Sequence, residues 1–197
     1  MIVGVIGPTD LQKFCVLLEK PAEELLERAA QVGKALAESP VVDELWVNPD
    51  GGMIGAVAHA YKDFGGKRLV VLVPRRAIPW PLAHVRPYTR IADEVRRTAT
   101  WFTANHEVVT MPHVCVCVGL SSGTLSELAY IKWDAQFSQG NLRRLIAIRE
   151  LLRDGVMPPE IYPNIAHIVQ FLERAEELRD ALERLGFNNN EPLLLHS

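Results

Sequence analysis

The amino-acid sequence predicts an α/β protein built on one doubly wound parallel sheet with helices on both faces. Three observations carry this. Short apolar, β-branched runs recur along the chain, at IVGVIG from Ile2, RLVVLVP from Arg68 and VCVCV from Val114. Such near-continuous apolar runs mark strands covered on both faces, as parallel strands are. Between them lie stretches with apolar residues at intervals of three and four, the helical period. Strand-like and helix-like segments alternate almost throughout, without an internal repeat, which makes the fold Rossmann-like.

The first run, Ile2–Gly7, reads as a buried opening strand, and Gly7, Pro8, Thr9 and Asp10 as the strand-to-loop junction that lines a ligand crevice in open α/β sheets. Cys15 to Leu18 is expected to form a short turn. Pro21 to Glu38 reads as a helix, with Leu25, Ala29, Val32 and Leu36 on its inner face and Ser39-Pro40 ending it. Glu44 to Val47 is a short strand, and Asn48-Pro49-Asp50-Gly51-Gly52 a turn. Met53 to Phe64 is helical. Gly52, Gly55 and Ala56 let its start approach a sheet or a ligand closely, and Gly65-Gly66 stops it. Arg68 to Pro74 is the next strand.

Arg75 to Thr89 is irregular, with prolines throughout and Arg75, Arg76, Trp80, His84, Arg86 and Tyr88 among them. It is either a solvated loop or a cationic and aromatic clamp on a phosphate or base. Ile91 to Thr103 is expected to be a helix carrying Arg96 and Arg97. Then come the strand from Val114, a helix over 123–135, a strand within LRRLIAI, a helical turn over Glu150–Asp154, a last strand Ile165–Phe171 and a charged helix Glu173–Leu185. Residues 1–187 are read as one domain, and residues 188–197 as a polar tail prone to fraying.

Composition narrows the function. The chain has 197 residues, 48% hydrophobic and 23% charged, with a net charge of −3. This is ordinary for a globular protein, and the acidic balance argues against a nucleic-acid partner. The apolar runs are too short to span a bilayer. Three cysteines, Cys15, Cys115 and Cys117, and no recognisable signal peptide fit a cytoplasmic protein. Cys115 and Cys117 lie two apart on one strand face and read as apolar fillers. His59, His84, His106 and His113 show no metal spacing, so no metal site is expected.

The most informative stretch is Val114–Tyr130, VCVCVGLSSGTLSELAY. An apolar strand breaks at Gly119, passes through Leu120, Ser121, Ser122, Gly123 and Thr124, and continues as a helix. This is an anion site in outline, because the turn and helix start offer backbone N–H groups and a favourable dipole to a phosphate. It is not a Walker loop, since no Gly-Lys-Ser/Thr follows. Gly119 to Gly123 also nearly spells a GxSxG nucleophile elbow. That would make Ser121 an esterase nucleophile, with Asp154 and His167 as the acid and base that follow it.

Two segments, GGMIGAVAHAYKDFGGKRLVVLVP from Gly51 and VGLSSGTLSEL from Val118, resemble the LOG-like proteins of the SLOG superfamily of Rossmann-like nucleotide-binding domains. The opening VGVIG is similar to that of the molybdenum-cofactor carrier proteins, which share this fold. The resemblance implies phosphate contacts from Gly119, Ser121, Ser122, Gly123 and Thr124, with Gly7, Pro8, Thr9, Gly51, Gly52 and Gly55 around the ligand. In the phosphoribohydrolase members, the Glu ending the motif cleaves the N-glycosidic bond of a nucleoside 5′-monophosphate with help from an Arg. Here those positions are Glu127 and, with a longer spacing to the motif, Arg97. The motif departs from the family's PGGxGT, with Gly for Pro and Leu-Ser for Gly-Gly, so phosphate binding carries over better than catalysis. The implied protein binds a nucleotide or molybdenum-cofactor-like molecule as a carrier or sensor, requires no cofactor and pairs as a homodimer. A phosphoribohydrolase is the alternative.

Overall fold

A computed structural model describes residues 1–75 and 82–187. Arg76 and Trp80 of the irregular loop, and the tail 188–197, lie outside the described residues. Within them, seven strands form one parallel sheet: β1 (Ile2–Ile6), β2 (Glu44–Val47), β3 (Leu69–Pro74), β4 (Glu94–Thr98), β5 (Val114–Cys117), β6 (Arg144–Ile148) and β7 (Val169–Leu172). Their order is β4-β3-β2-β1-β5-β6-β7. The helices are α1 (Leu11–Leu18), α2 (Ala22–Glu38), α3 (Gly52–Asp63), α4 (Arg86–Ile91), α5 (Trp101–Thr110), α6 (Ser122–Phe137), α7 (Tyr162–Ile165) and α8 (Leu178–Phe187).

Alternation along each strand divides the core between the two faces. Val3, Val5, Val71 and Val73 pack with α2, α3, α4 and α8, whereas Ile6, Trp46, Leu72, Cys115 and Cys117 pack with α5, α6 and α7. Every residue of β3 and β5 is buried. This is the doubly wound sheet expected from the uninterrupted apolar runs.

Three local expectations are corrected. The segment 91–103 is not a helix. It holds the end of α4, the strand β4 and the start of α5. Arg96 and Arg97 therefore lie on an edge strand. Arg96 sits 4.8 Å over the Trp46 ring and donates to Glu107, while Arg97 pairs in register with Val73 and is exposed. An edge strand covered on one side needs few apolar residues, and its charges discourage pairing with another chain. The expected turn at 15–18 belongs to an eight-residue helix, α1, capped at its start by the Asp10 side chain, which accepts from the Lys13 amide. The last strand begins later than expected, since 162–165 is the helical turn α7.

Candidate functional site

The chain adds β2, β3 and β4 successively on one side of β1, then returns to add β5, β6 and β7 on the other. The β1/β5 boundary is thus a topological switch point, where loops leave in opposite directions and open a crevice at the carboxyl ends of the strands. Three of the segments singled out from sequence converge there: 7–9 after β1, 48–55 after β2 and 118–124 after β5.

Contacts between these loops are close. The Met53 amide donates to the Pro8 carbonyl at 2.9 Å, so one N–H of the first turn of α3 is taken by the β1 loop. Gly52 has φ +58°, and a Cβ there would stand 2.6 Å from both the Pro8 and Thr9 carbonyl oxygens. Gly119 has φ +128°, and its missing side chain leaves room for the Phe14 ring, which a Cβ would approach to 2.4 Å, and for Pro8. Only glycine fits either position. A Cβ on Gly7 would press on Val118, and one on Gly55 would lie 2.9 Å from the Tyr88 hydroxyl, while Gly51 is less confined. Gly7, Gly52 and Gly119 therefore let the three loops pack together.

The start of α6 is different. Ser121 is its N-cap, and its hydroxyl accepts from the Thr124 amide at 3.3 Å and lies 3.0 Å from the Thr124 hydroxyl. The Leu125 amide donates to the Ser121 carbonyl. The amides of Ser122 and Gly123 are the first two of the helix and have no acceptor within it. A Cβ on Gly123 would meet nothing nearer than the Ser121 hydroxyl, at 3.7 Å. Two open amides at the positive end of a sixteen-residue helix, with space before them, suit an anion.

One turn further on, Glu127 faces inward and is only 5% exposed. Its carboxylate accepts from the Asn48 side-chain amide at 3.3 Å, and the same Asn48 nitrogen donates to the Asn105 side chain at 2.8 Å. This links the end of β2 to α5 and α6. Burial pushes the Glu127 carboxyl up to about 8, and the bond from Asn48 only partly offsets that. At neutral pH the group is mostly a neutral acid. Beneath it, burial raises the Cys117 thiol to about 12 and the Cys115 thiol well above its ordinary range. Both are inert thiols in the core, as the filler reading expects. The Asn48 side-chain oxygen is buried and has no hydrogen-bond partner among the described residues.

Sequence reasoning missed Asn48 and Asn105 as a link. The place of Asn48, at a strand end before a proline, was the one available signal. Asn105 gave none, because only folding brings α5 beside β2. The other sequence candidates scatter. Arg97 sits on β4, with β3, β2 and β1 between it and β5. The esterase triad does not assemble. Ser121 follows β5 at the carboxyl edge of the sheet, whereas His167 precedes β7 at the amino edge, about 13 Å away along the strand direction by the rise of a four-residue strand. The Ser121 hydroxyl is committed to its cap, and Asp154 is exposed in a 3-10 turn after β6. Among the described residues no cluster of metal-ligating side chains occurs, and no helix is long and apolar enough to cross a membrane. A groove of about 440 Å³ between α1 and the loop after β6 is bordered by Val16, Leu17, Lys20, Glu150, Arg153 and Asp154, and of its lining only Asp154, the acid of the esterase reading, was singled out from sequence.

No family model and no curated protein matches the sequence. Solved structures do match in shape. The molybdenum cofactor binding protein of the phototrophic bacterium Rippkaea orientalis is 17% identical, with a TM-score of 0.65 over 93% of this chain and 96% of that one. The molybdenum cofactor carrier protein of Chlamydomonas reinhardtii is 18% identical, with a TM-score of 0.62 over the same shares. The crevice at the β1/β5 switch point is therefore set in the Rossmann-like fold of the molybdenum-cofactor carrier proteins, the fold that the sequence resemblance implied.

Proposed function

We propose that this protein is a carrier or sensor for a phosphorylated small molecule, a nucleotide or a molybdenum-cofactor-like ligand, held in the β1/β5 crevice. The observation that carries the reading is the start of α6. There Ser121 and Thr124 cap each other and leave the Ser122 and Gly123 amides open. The phosphate is placed on those amides. Because Glu127 one turn away is largely uncharged, it does not repel the anion, and a bound phosphate would in turn favour its protonated form. The carrier proteins of the same fold support a carried ligand over a consumed one.

Turnover as a phosphoribohydrolase is the weaker reading. Its carboxylate would need to reach the anomeric carbon, yet Glu127 is buried and bonded to Asn48, and Arg97 lies on the far edge strand. Incubation with AMP separates the two. The carrier reading expects saturable binding without release of adenine, and loss of binding in Gly123→Asp, which puts a carboxylate where the phosphate goes. Adenine release that disappears in Glu127→Gln would establish the hydrolase instead.

The protein is further proposed to act as a homodimer. On α6 the residues Leu125, Ala129, Trp133 and Phe137 recur every fourth position, and Leu125, Trp133 and Phe137 are exposed. Trp133 and Phe137 stack with centroids 5.7 Å apart, and Phe102 on the adjacent α5 is also exposed. A stripe of this kind is an interaction surface, and a second copy would cover it. Sedimentation should give twice the chain mass, falling to one chain in Trp133→Glu/Phe137→Glu. A wild-type mass of 22.0 kDa would contradict pairing.

A further inference from the structure

About half of the cations among the described residues face a carboxylate. Lys62 pairs with Asp93, Arg68 with Glu44 and Glu94, and Arg96 with Glu107. At the β3–α4–β4 end of the sheet this pattern fails. Arg75, Arg86, Arg90 and Arg97 are all exposed there, and none forms an ion pair among the described residues. The nearby acids are already engaged, Asp93, Glu94 and Glu107 as above, and Asp50 through its bond from the Gly51 amide.

Two of the four arginines are placed together by strand register. Arg97 pairs with Val73, and the Arg75 amide donates to the Thr98 carbonyl at 2.8 Å, continuing the ladder one residue past β3. Side chains two apart on a strand share a face, so Arg75 and Arg97 both stand on the face of Val73. That is the face carrying α3 and α4. On it, the half-buried Tyr88 of α4 turns its hydroxyl toward Gly51 and Gly55 in the first turn of α3. Adjacent guanidinium groups without counter-charges repel one another, and an anion between them relieves this while accepting two forked sets of hydrogen bonds.

We propose that Arg75 and Arg97 form a second anion subsite at the β3–β4 end of the crevice. One ligand then bridges it and the start of α6, presenting two anionic groups roughly 14–19 Å apart, three to four strand spacings. The phosphates of a nucleotide or dinucleotide lie too close together to span this, so the ligand is a phosphorylated molecule with a second anionic group at its far end. Arg97 thus binds the ligand's distal charge and takes no part in chemistry at Glu127. The bridging rests on the phosphate site at α6, whereas the arginine subsite stands by itself.

Tungstate, a phosphate-like anion, tests the two sites separately, by equilibrium titration of the full chain and by anomalous scattering from soaked crystals. Two ions per chain are expected, one at Ser122–Gly123 and one between Arg75 and Arg97. Arg75→Ala/Arg97→Ala should bind one ion and keep the first, and because both residues are exposed the variant should fold as the parent does. Occupancy at α6 alone in the parent would overturn the subsite and leave the α6 reading intact. Occupancy at the arginines alone would overturn the α6 reading and leave the subsite. If both sites fill, dodecane-1,12-diyl bisphosphate, which carries a phosphate at each end of an extended chain, should bind at least tenfold more tightly than dodecyl phosphate, and the double variant should abolish that preference without weakening dodecyl phosphate. Equal affinities in the parent would overturn the bridging ligand.

Discussion

The two helices that start at the crevice, α3 and α6, are built on opposite terms. Helix α3 begins in a glycine-rich segment, yet Gly52 is pressed against the Pro8 and Thr9 carbonyls and the Met53 amide is already bonded to Pro8. Its other glycine, Gly55, lies beneath Tyr88. Helix α6 begins in a serine-rich segment and leaves two amides open. Helix α3 also buries an apolar face, with Met53, Ile54, Val57, Ala58 and Tyr61 inside. Helix α6 buries Thr124, Glu127 and Asp134 beside Leu128 and Ile131, and turns Leu125, Trp133 and Phe137 outward. Glycine content is therefore a poor guide to which turn leaves its amides open. At α3 and at Gly119 it serves packing, and the open amides lie where the chain uses serine caps.

This contrast can be broken most decisively at Gly119. Gly119→Val adds a side chain at positive φ against Phe14 and should cost roughly 3–5 kcal/mol in urea unfolding, from strain and overpacking together. A cost under 1 kcal/mol would show that the β1 and β5 loops do not interlock as described. Next in size is Glu127→Gln. The unfolded carboxyl ionises near 4.5, the folded one near 8, so the unfolded chain binds fewer protons between these values and stability falls as pH rises through that window. Gln removes this slope and should stabilise the fold at pH 8 by up to a few kcal/mol. Parallel stability–pH curves for parent and variant would refute a neutral buried acid.

Smaller effects sharpen the α6 side. Ser121→Ala removes the cap and should cost about 1 kcal/mol, with weaker anion binding, both read by thermal melts with and without phosphate. Smallest in stability is Gly123→Ala. It faces open space, so its unfolding midpoint should change little, by less than about 1 kcal/mol in helix propensity. Its affinity for a bound phosphate should nonetheless drop, because the new methyl group stands before the open amides. Unchanged affinity would move the anion away from α6.

The sheet was legible because buried parallel strands are written as uninterrupted apolar runs, and the strand–turn–helix at 114–137 because its period changes abruptly at Gly119. Strand β4 was not. Its five residues, EVRRT, include one strongly apolar side chain, and an edge strand with its charges stacked on Trp46 or turned to solvent gives no alternating pattern to read. Glu127 could be picked out by motif, but its protonation could not, since that depends on burial against β5 and on Asn48 from a distant strand. The exposed apolar stripe of α6 was hidden for a similar reason. A helix apolar on one face and mixed on the other presents two competing faces, and only the tertiary contacts decide which is inside.

The position of β1 has a consequence for how the protein is made. It precedes both of its neighbours in the chain and pairs with β2 across some forty residues, as Val3 with Leu45, but with β5 only across more than a hundred, as Val3 with Val114. Until β5 is synthesised, one side of the central strand is an unpaired edge, and Phe14 has no Gly119 to rest on. Long-range parallel pairing of this kind forms slowly and leaves aggregation-prone edges while it waits. The crevice therefore closes only after β5 has been made. A molecule that binds there recognises only chains in which β1 and β5 have paired, and its presence during synthesis would raise the yield of native protein by drawing that pairing forward.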